Sequence, residues 1–199
     1  MSKMMLAIVV LALSISALAQ KETLAPRVEI FGGYSVLVSS DTFGSNTGAN
    51  GWESALTMKV NRWFGIKADF SGHYVSQTIT VPTDLGTISA TAHAHQYDYL
   101  FGSQVSNHFH KFNVFAHGLI GGTRLGVEVD SITLPGLPSI PVPGQHVLGL
   151  GWVAGGGVDY ELSSRVGLRL AQVDYHGSRL EGGRQNGFRY SAGMVFNFR

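Results

Sequence analysis

The chain has 199 residues, no cysteine, 26 glycines and a formal net charge of +1. Its length suits one domain, and the missing cysteine excludes disulfides and a lipid anchor attached through an N-terminal Cys. Apart from Lys3 the basic and acidic side chains balance at 13 each, so no net charge recruits nucleic acid or an acidic surface.

The N-terminus reads as an export segment. Lys3 supplies the basic start, an apolar run extends from Met4 to about Ile15, and Ala17-Leu18-Ala19 offers a small-residue cleavage site. Residues 1–19 are therefore expected to be removed, leaving a single domain over residues 20–199 that begins at Gln20. The apolar run falls short of the ~18 residues a spanning helix needs, and no long apolar segment follows it.

Eight strands are predicted beyond that point: Val28 to Val38, Trp52 to Val60, Trp63 to Thr80, Thr87 to Val105, Phe112 to Val129, Val147 to Tyr160, Val166 to His176, and Phe188 to Phe198. The connections alternate in length. Asn61-Arg62, Asn107 to Lys111 and Leu162 to Arg165 are short, whereas Ser39 to Gly51, Val81 to Gly86, Asp130 to His146 and Gly177 to Gly187 are longer. Short periplasmic turns and longer outer loops are the pattern of outer-membrane barrels, which would put both termini in the periplasm.

Period-2 faces support the same architecture. The second strand separates Trp52, Leu56 and Met58 from Glu53, Thr57 and Lys59; the third separates Ile66 and Phe70 from Lys67, Asp69 and His73; the fourth sets Tyr97, Tyr99 and Phe101 against Gln96, Asp98 and Gln104. The sixth sets Trp152, Ala154 and Val158 against Gly155, Gly157 and Asp159, and the last sends Ala192, Met194, Phe196 and Phe198 opposite Ser191, Gly193, Val195 and Asn197. The fifth strand is apolar on both faces. In the seventh, Arg169 lies out of phase with Gln172 and Asp174, which a β-bulge near Ala171 would reconcile. Patterning alone fits a soluble sandwich equally well; the export segment, the loop asymmetry and the last strand favour a closed, all-β, antiparallel up-and-down barrel with lipid outside.

At the level of pattern, residues 20–199 resemble the small eight-stranded outer-membrane β-barrel family, which includes the membrane domain of outer membrane protein A. The sharpest likeness is Ser191-x-Gly193-x-x-Phe196-x-Phe198, which is similar to the C-terminal strand read by the barrel-assembly machinery; Arg199 replaces the usual terminal aromatic. The resemblance implies a bacterial outer-membrane location, lipid as the surroundings and the assembly machinery as a transient partner.

Candidate functional groups follow from the faces. Glu29, Glu53, Lys59, Lys67, Asp69, Asp98, Asp159, Arg169 and Arg189 are assigned to the interior. Both signs occur, and unpaired buried charges are costly, so a mutually paired network is expected. His93-x-His95 and His108-x-His110 each place two imidazoles on one strand face, but neither has a third ligand nearby in sequence, so no metal or other cofactor is expected. His176-Gly177-Ser178, with Glu181, would be the residues of a lipid A-modifying enzyme, though the triplet is also ordinary turn chemistry.

The segment Leu134 to Pro143 holds four of the six prolines at near three-residue spacing, which favours stiff polyproline II backbone. It would leave Leu134, Leu137, Ile140 and Val142 as outer-loop contacts. The expected function is a non-enzymatic, monomeric outer-membrane barrel serving envelope integrity or surface contact with an unidentified partner. A narrow porin-like channel is the alternative, followed by a lipocalin-like carrier with an apolar calyx.

Overall fold

The computed structural model describes residues 27–39, 48–83, 86–133, 140–180 and 183–198. The expected export segment and its cleavage residues Ala17, Ala19 and Gln20 lie outside them, as do Leu134 and Leu137.

Eight strands form one closed sheet: β1 (Arg27–Ser39), β2 (Gly48–Lys59), β3 (Phe64–Thr83), β4 (Gly86–Phe109), β5 (Phe112–Thr133), β6 (Ile140–Glu161), β7 (Val166–Leu180) and β8 (Gly183–Phe198). Neighbours in sequence pair antiparallel, and β1 pairs with β8 to close the barrel. At that seam Gly33 faces Gly193. A Cβ on Gly193 would run into Gly32 O and Gly33 Cα, so the closing strand approaches β1 at a distance only glycine permits.

The two ends differ. At one, Asn61 Oδ1 accepts hydrogen bonds from the amides of Trp63 (3.0 Å) and Phe64 (2.8 Å), and Ser163 Oγ accepts from Arg165 and Val166. These Asx- and Ser-type turns are short because a side chain does the work of a backbone partner. The third turn at this end is His110-Lys111, entered through His110 at φ 56°.

At the other end the expected long loops need correction. The asymmetry lies in the strands themselves: β3 to β6 run 20, 24, 22 and 22 residues, about twice the ~9–11 that cross a bilayer. The β3–β4 ladder continues to Thr83↔Gly86 and the β7–β8 ladder to Leu180↔Gly183. The expected third and fourth strands, to Thr80 and from Thr87, end within three residues of the observed ones, whereas those ending at Val129 and His176 and beginning at Val147 and Phe188 are four to seven residues short, because period-2 alternation fades where there is no core to face. Ile140 and Val142 are likewise not loop residues. They begin β6, opposite Ile132 and Val129. The prolines in this stretch cannot donate to the ladder, in keeping with the register shifts at Val127/Val129 and Val129/Ile132.

Outward side chains are apolar and exposed. Ile66 is 58% exposed, Ile120 57% and Phe101 53%, on a continuous band of the kind that water-soluble proteins avoid. Aromatics border the band: Phe109, Phe112, Tyr160 and Phe198 toward the short-turn end, and Tyr34, Trp52, Tyr74, Trp152, Tyr175 and Phe188 toward the other. An apolar exterior around a polar interior is the reverse of a lipocalin calyx and corrects that alternative. No helix among the described residues is long and apolar enough to cross a membrane; crossing falls to the strands.

Candidate functional site

An eight-stranded barrel is just wide enough for its inward side chains to fill it, and here they do so in tiers. Nearest the short turns, Lys59 Nζ lies 3.2 Å from Glu29 Oε2, and Glu29 Oε1 lies 3.3 Å from Arg169 Nη2. Arg169 also grips Asp159 with two donors, at 2.7 and 3.2 Å, and donates to Gln172 Oε1 at 2.7 Å. Its guanidinium is sandwiched between the rings of Phe31 and Phe115, 4.1 and 4.2 Å from their centroids. Ring faces attract a cation and exclude water from it, so Phe31 and Phe115 complete a cross-section that the ions alone would leave loose.

Arg189 centres the next tier. It donates bidentately to Asp69 (2.9 and 3.2 Å) and twice to Asp174 Oδ2 (3.0 and 2.8 Å), and lies 3.5 Å from Glu53. Lys67 stands among the same carboxylates, 3.6 Å from Asp69 and 4.0 Å from Glu53, and reaches His117 Nδ1 at 3.3 Å. The opposite nitrogen of His117 is 2.9 Å from Asp174 Oδ1. Gln172 and Ser191 donate to the two oxygens of Glu53 at 2.9 and 2.6 Å.

Above this, Asp98 accepts from Thr123 (2.7 Å) and from Gln96, and His176 Nε2 is 3.3 Å from it. Ser35 Oγ lies 2.9 Å from His73 Nε2 and 3.0 Å from Ser191 Oγ. Leu37 and Ala49, with Val75, Ala94 and Leu125 packed against them, form an apolar cluster contributed by β1 to β5.

The structure thus brings Glu29, Glu53, Lys59, Lys67, Asp69, Asp159, Arg169 and Arg189 into contacting tiers, with Asp98 joined to its neighbours by hydrogen bonds. The sequence reading does not name His117 and His176 for the interior; His73 stands on the expected lumen face of the third strand, and Asp174 joins that face through the β-bulge expected near Ala171, which the structure contains. Leu170 and Ala171 both point outward, and across them the ladder steps from Arg169↔Gly193 to Gln172↔Ser191; this bulge returns Gln172 and Asp174 to the lumen. His117 was hidden because Phe115 and Leu119 beside it are also inward, against Val114, Ala116 and Ile120 on the lipid side.

His176 and Ser178 both face the buried interior, 3% exposed each. His176 is committed to Asp98 and Gln96, while Ser178 Oγ has no hydrogen-bond partner among the described residues. Glu181 lies outside the described residues.

A closed antiparallel barrel, apolar outside and ion-paired within, is a transmembrane β-barrel of the outer-membrane type. The family profile of the outer membrane protein beta-barrel domain matches residues 5–198, and the chain belongs to that family. Among solved structures it is similar to Ail, the attachment invasion locus protein of Yersinia pestis, at 14% identity and a TM-score of 0.59, covering 88% of this chain and 100% of that one. OprG from Pseudomonas aeruginosa is similar at 13% identity and a TM-score of 0.50, covering 88% and 97%. Comparison with curated proteins returned no match. The likenesses carry the fold and, with the family, the bacterial outer-membrane setting.

Proposed function

We propose that this chain acts as a closed, non-enzymatic outer-membrane barrel that contributes envelope integrity and presents its tall hairpins as a contact surface outside the cell. The single observation behind this reading is the filled lumen. Arg169 and Arg189, 1% and 0% exposed, span the cross-section between carboxylates from several strands. A porin-like passage would require these pairs to part. A hydroxyl nucleophile needs an adjacent base, and His176 is engaged elsewhere, which supports a non-enzymatic role.

In this reading the short turns and both termini are periplasmic, residues 1–19 direct export and are removed, and the barrel is a monomer in outer-membrane lipid. Ser191, Gly193, Phe196 and Phe198 present the closing strand to the assembly machinery, with Gly193 making the close approach to β1. The β3–β4 and β5–β6 hairpins form the outer wall, and Leu134 and Leu137, in the sequence between β5 and β6, are proposed as contact residues.

The register Gln77↔Ala92 allows residues 78–91 to be replaced by a two-residue Asn-Gly turn. The shortened barrel should keep its heat-modifiable gel migration, because the closed wall below is intact, while attachment of expressing cells to a surface falls. Cysteine at Ser76 reports the same hairpin, since the chain has no other cysteine, and should react with an impermeant maleimide on intact cells. A shortened barrel that folds and attaches as well as the parent contradicts the contact role.

A further inference from the structure

A second group of polar side chains stands on the outward face of the tall wall. There His95 of β4, Gly126 of β5 and His146 of β6 lie side by side, in the registers His95↔Gly126 and Gly126↔His146. Residues two strands apart are ordinarily ~10 Å apart, with the middle residue's side chain between them. At this row the middle side chain is absent. The two imidazoles lean over Gly126 until their ring centroids are 5.7 Å apart, tilted by 54°.

Nitrogen atoms face the gap. A Cβ built on Gly126 would meet His95 Nε2, and would stand 2.7 Å from His146 Nδ1. His95 Cε1 is about as near to that position as Nε2, so an edge of the His95 ring and Nδ1 of His146 share the space over Gly126 that any other side chain would take. His95 is braced on its other side by the Tyr97 ring, 5.5 Å away, whose hydroxyl is 3.0 Å from that of Tyr74. One pleat further along, His93 faces Glu128 across the same strand pair, and its Nδ1 is 2.7 Å from Ser76 Oγ. The two rings cover Gly126, which is buried beneath them.

We propose that His95 and His146 form a binding site for a divalent transition-metal ion on the outer wall, with Gly126 kept bare as the seat. Imidazole suits zinc, copper and nickel, whereas calcium and magnesium need oxygen donors, and Zn–N bonds of ~2.0–2.1 Å fit an ion held between the rings. Among the described residues no group of three metal-ligating side chains converges. The site therefore has two protein ligands and leaves the remaining positions to water or to a donor from outside. The sequence shows only His93-x-His95; its partner His146 lies 51 positions away and is brought in by the register of three strands.

The test is calorimetric titration of zinc chloride into the tag-free barrel, folded in detergent micelles. The parent should take up one saturable ion. His95→Ala and His146→Ala should each weaken uptake by at least about tenfold, the scale set by disturbing a ligand's support, and Gly126→Val should do the same by filling the seat. His110→Ala, in the turn at the opposite end, should bind like the parent, with heat-modifiable migration verifying that every variant is folded. Absence of saturable uptake by the parent overturns the proposal. So does undiminished uptake by both histidine variants, or by folded Gly126→Val.

Discussion

Arg189→Leu is expected to destabilise the folded barrel by about 3–5 kcal/mol, the cost of breaking a buried ion cluster from one side. The guanidinium is the one group that touches Asp69, Asp174 and Glu53 together, at 2.9, 2.8 and 3.5 Å. Without it three carboxylates from β2, β3 and β7 face one another in a tier where Lys67 is the remaining nearby lysine or arginine. Arg189→Lys should fall between, since an ammonium keeps the charge and cannot make two parallel forks. Urea unfolding in lipid vesicles, followed through the outward-facing Trp52 and Trp152, measures the difference. A loss below about 1 kcal/mol for Arg189→Leu would mean that the tier is not held by its ion pairs.

Leu56→Arg should cost about 2–4 kcal/mol if its side chain meets the bilayer midplane. Leu56 lies on the outward face of β2, two turns of the pleat from Trp52, and is 39% exposed to the surroundings. On a water-facing surface such a change is worth within about 0.5 kcal/mol, so the size of the effect reports the solvent rather than the fold. Thr78→Arg, on the outward face of β3 in the wall beyond the aromatic border, serves as the control and should be nearly neutral. Equal tolerance at both positions would place Leu56 in water and remove the lipid-facing assignment.

How far the sequence carries the fold depends on what each face of a strand meets. In β2, β3 and β8 one face meets lipid and the other a polar lumen, and the alternation of Leu56 with Thr57, or Phe196 with Asn197, is enough to place them. Where both faces meet similar surroundings the signal vanishes. Both sides of β5 are apolar because Phe115 and Leu119 pack inside against Arg169, Leu100 and Val153. Toward the upper ends of β5 to β8 the alternation weakens, so ladders that continue to Ile132↔Ile140 and Leu180↔Gly183 read as loop in the sequence.

The interior charges were legible one at a time, from phase. Their partners were not, because pairing is a property of closure: Arg169 meets Glu29 from 140 positions away and Arg189 meets Asp69 from 120. Asp174 was legible through the β-bulge expected near Ala171. His95 and His146 were separated by the same obstacle on the outer face, and only three-strand register joins them.

The central claim is that tiers of ion pairs close the lumen, and ionic current through the refolded barrel in a planar bilayer tests it most directly. The parent protein should insert, as heat-modifiable migration of the same sample demonstrates, and carry no steady current at moderate voltage. Reproducible open steps from the inserted parent, abolished when the barrel is unfolded, would contradict the closed core and favour the narrow channel.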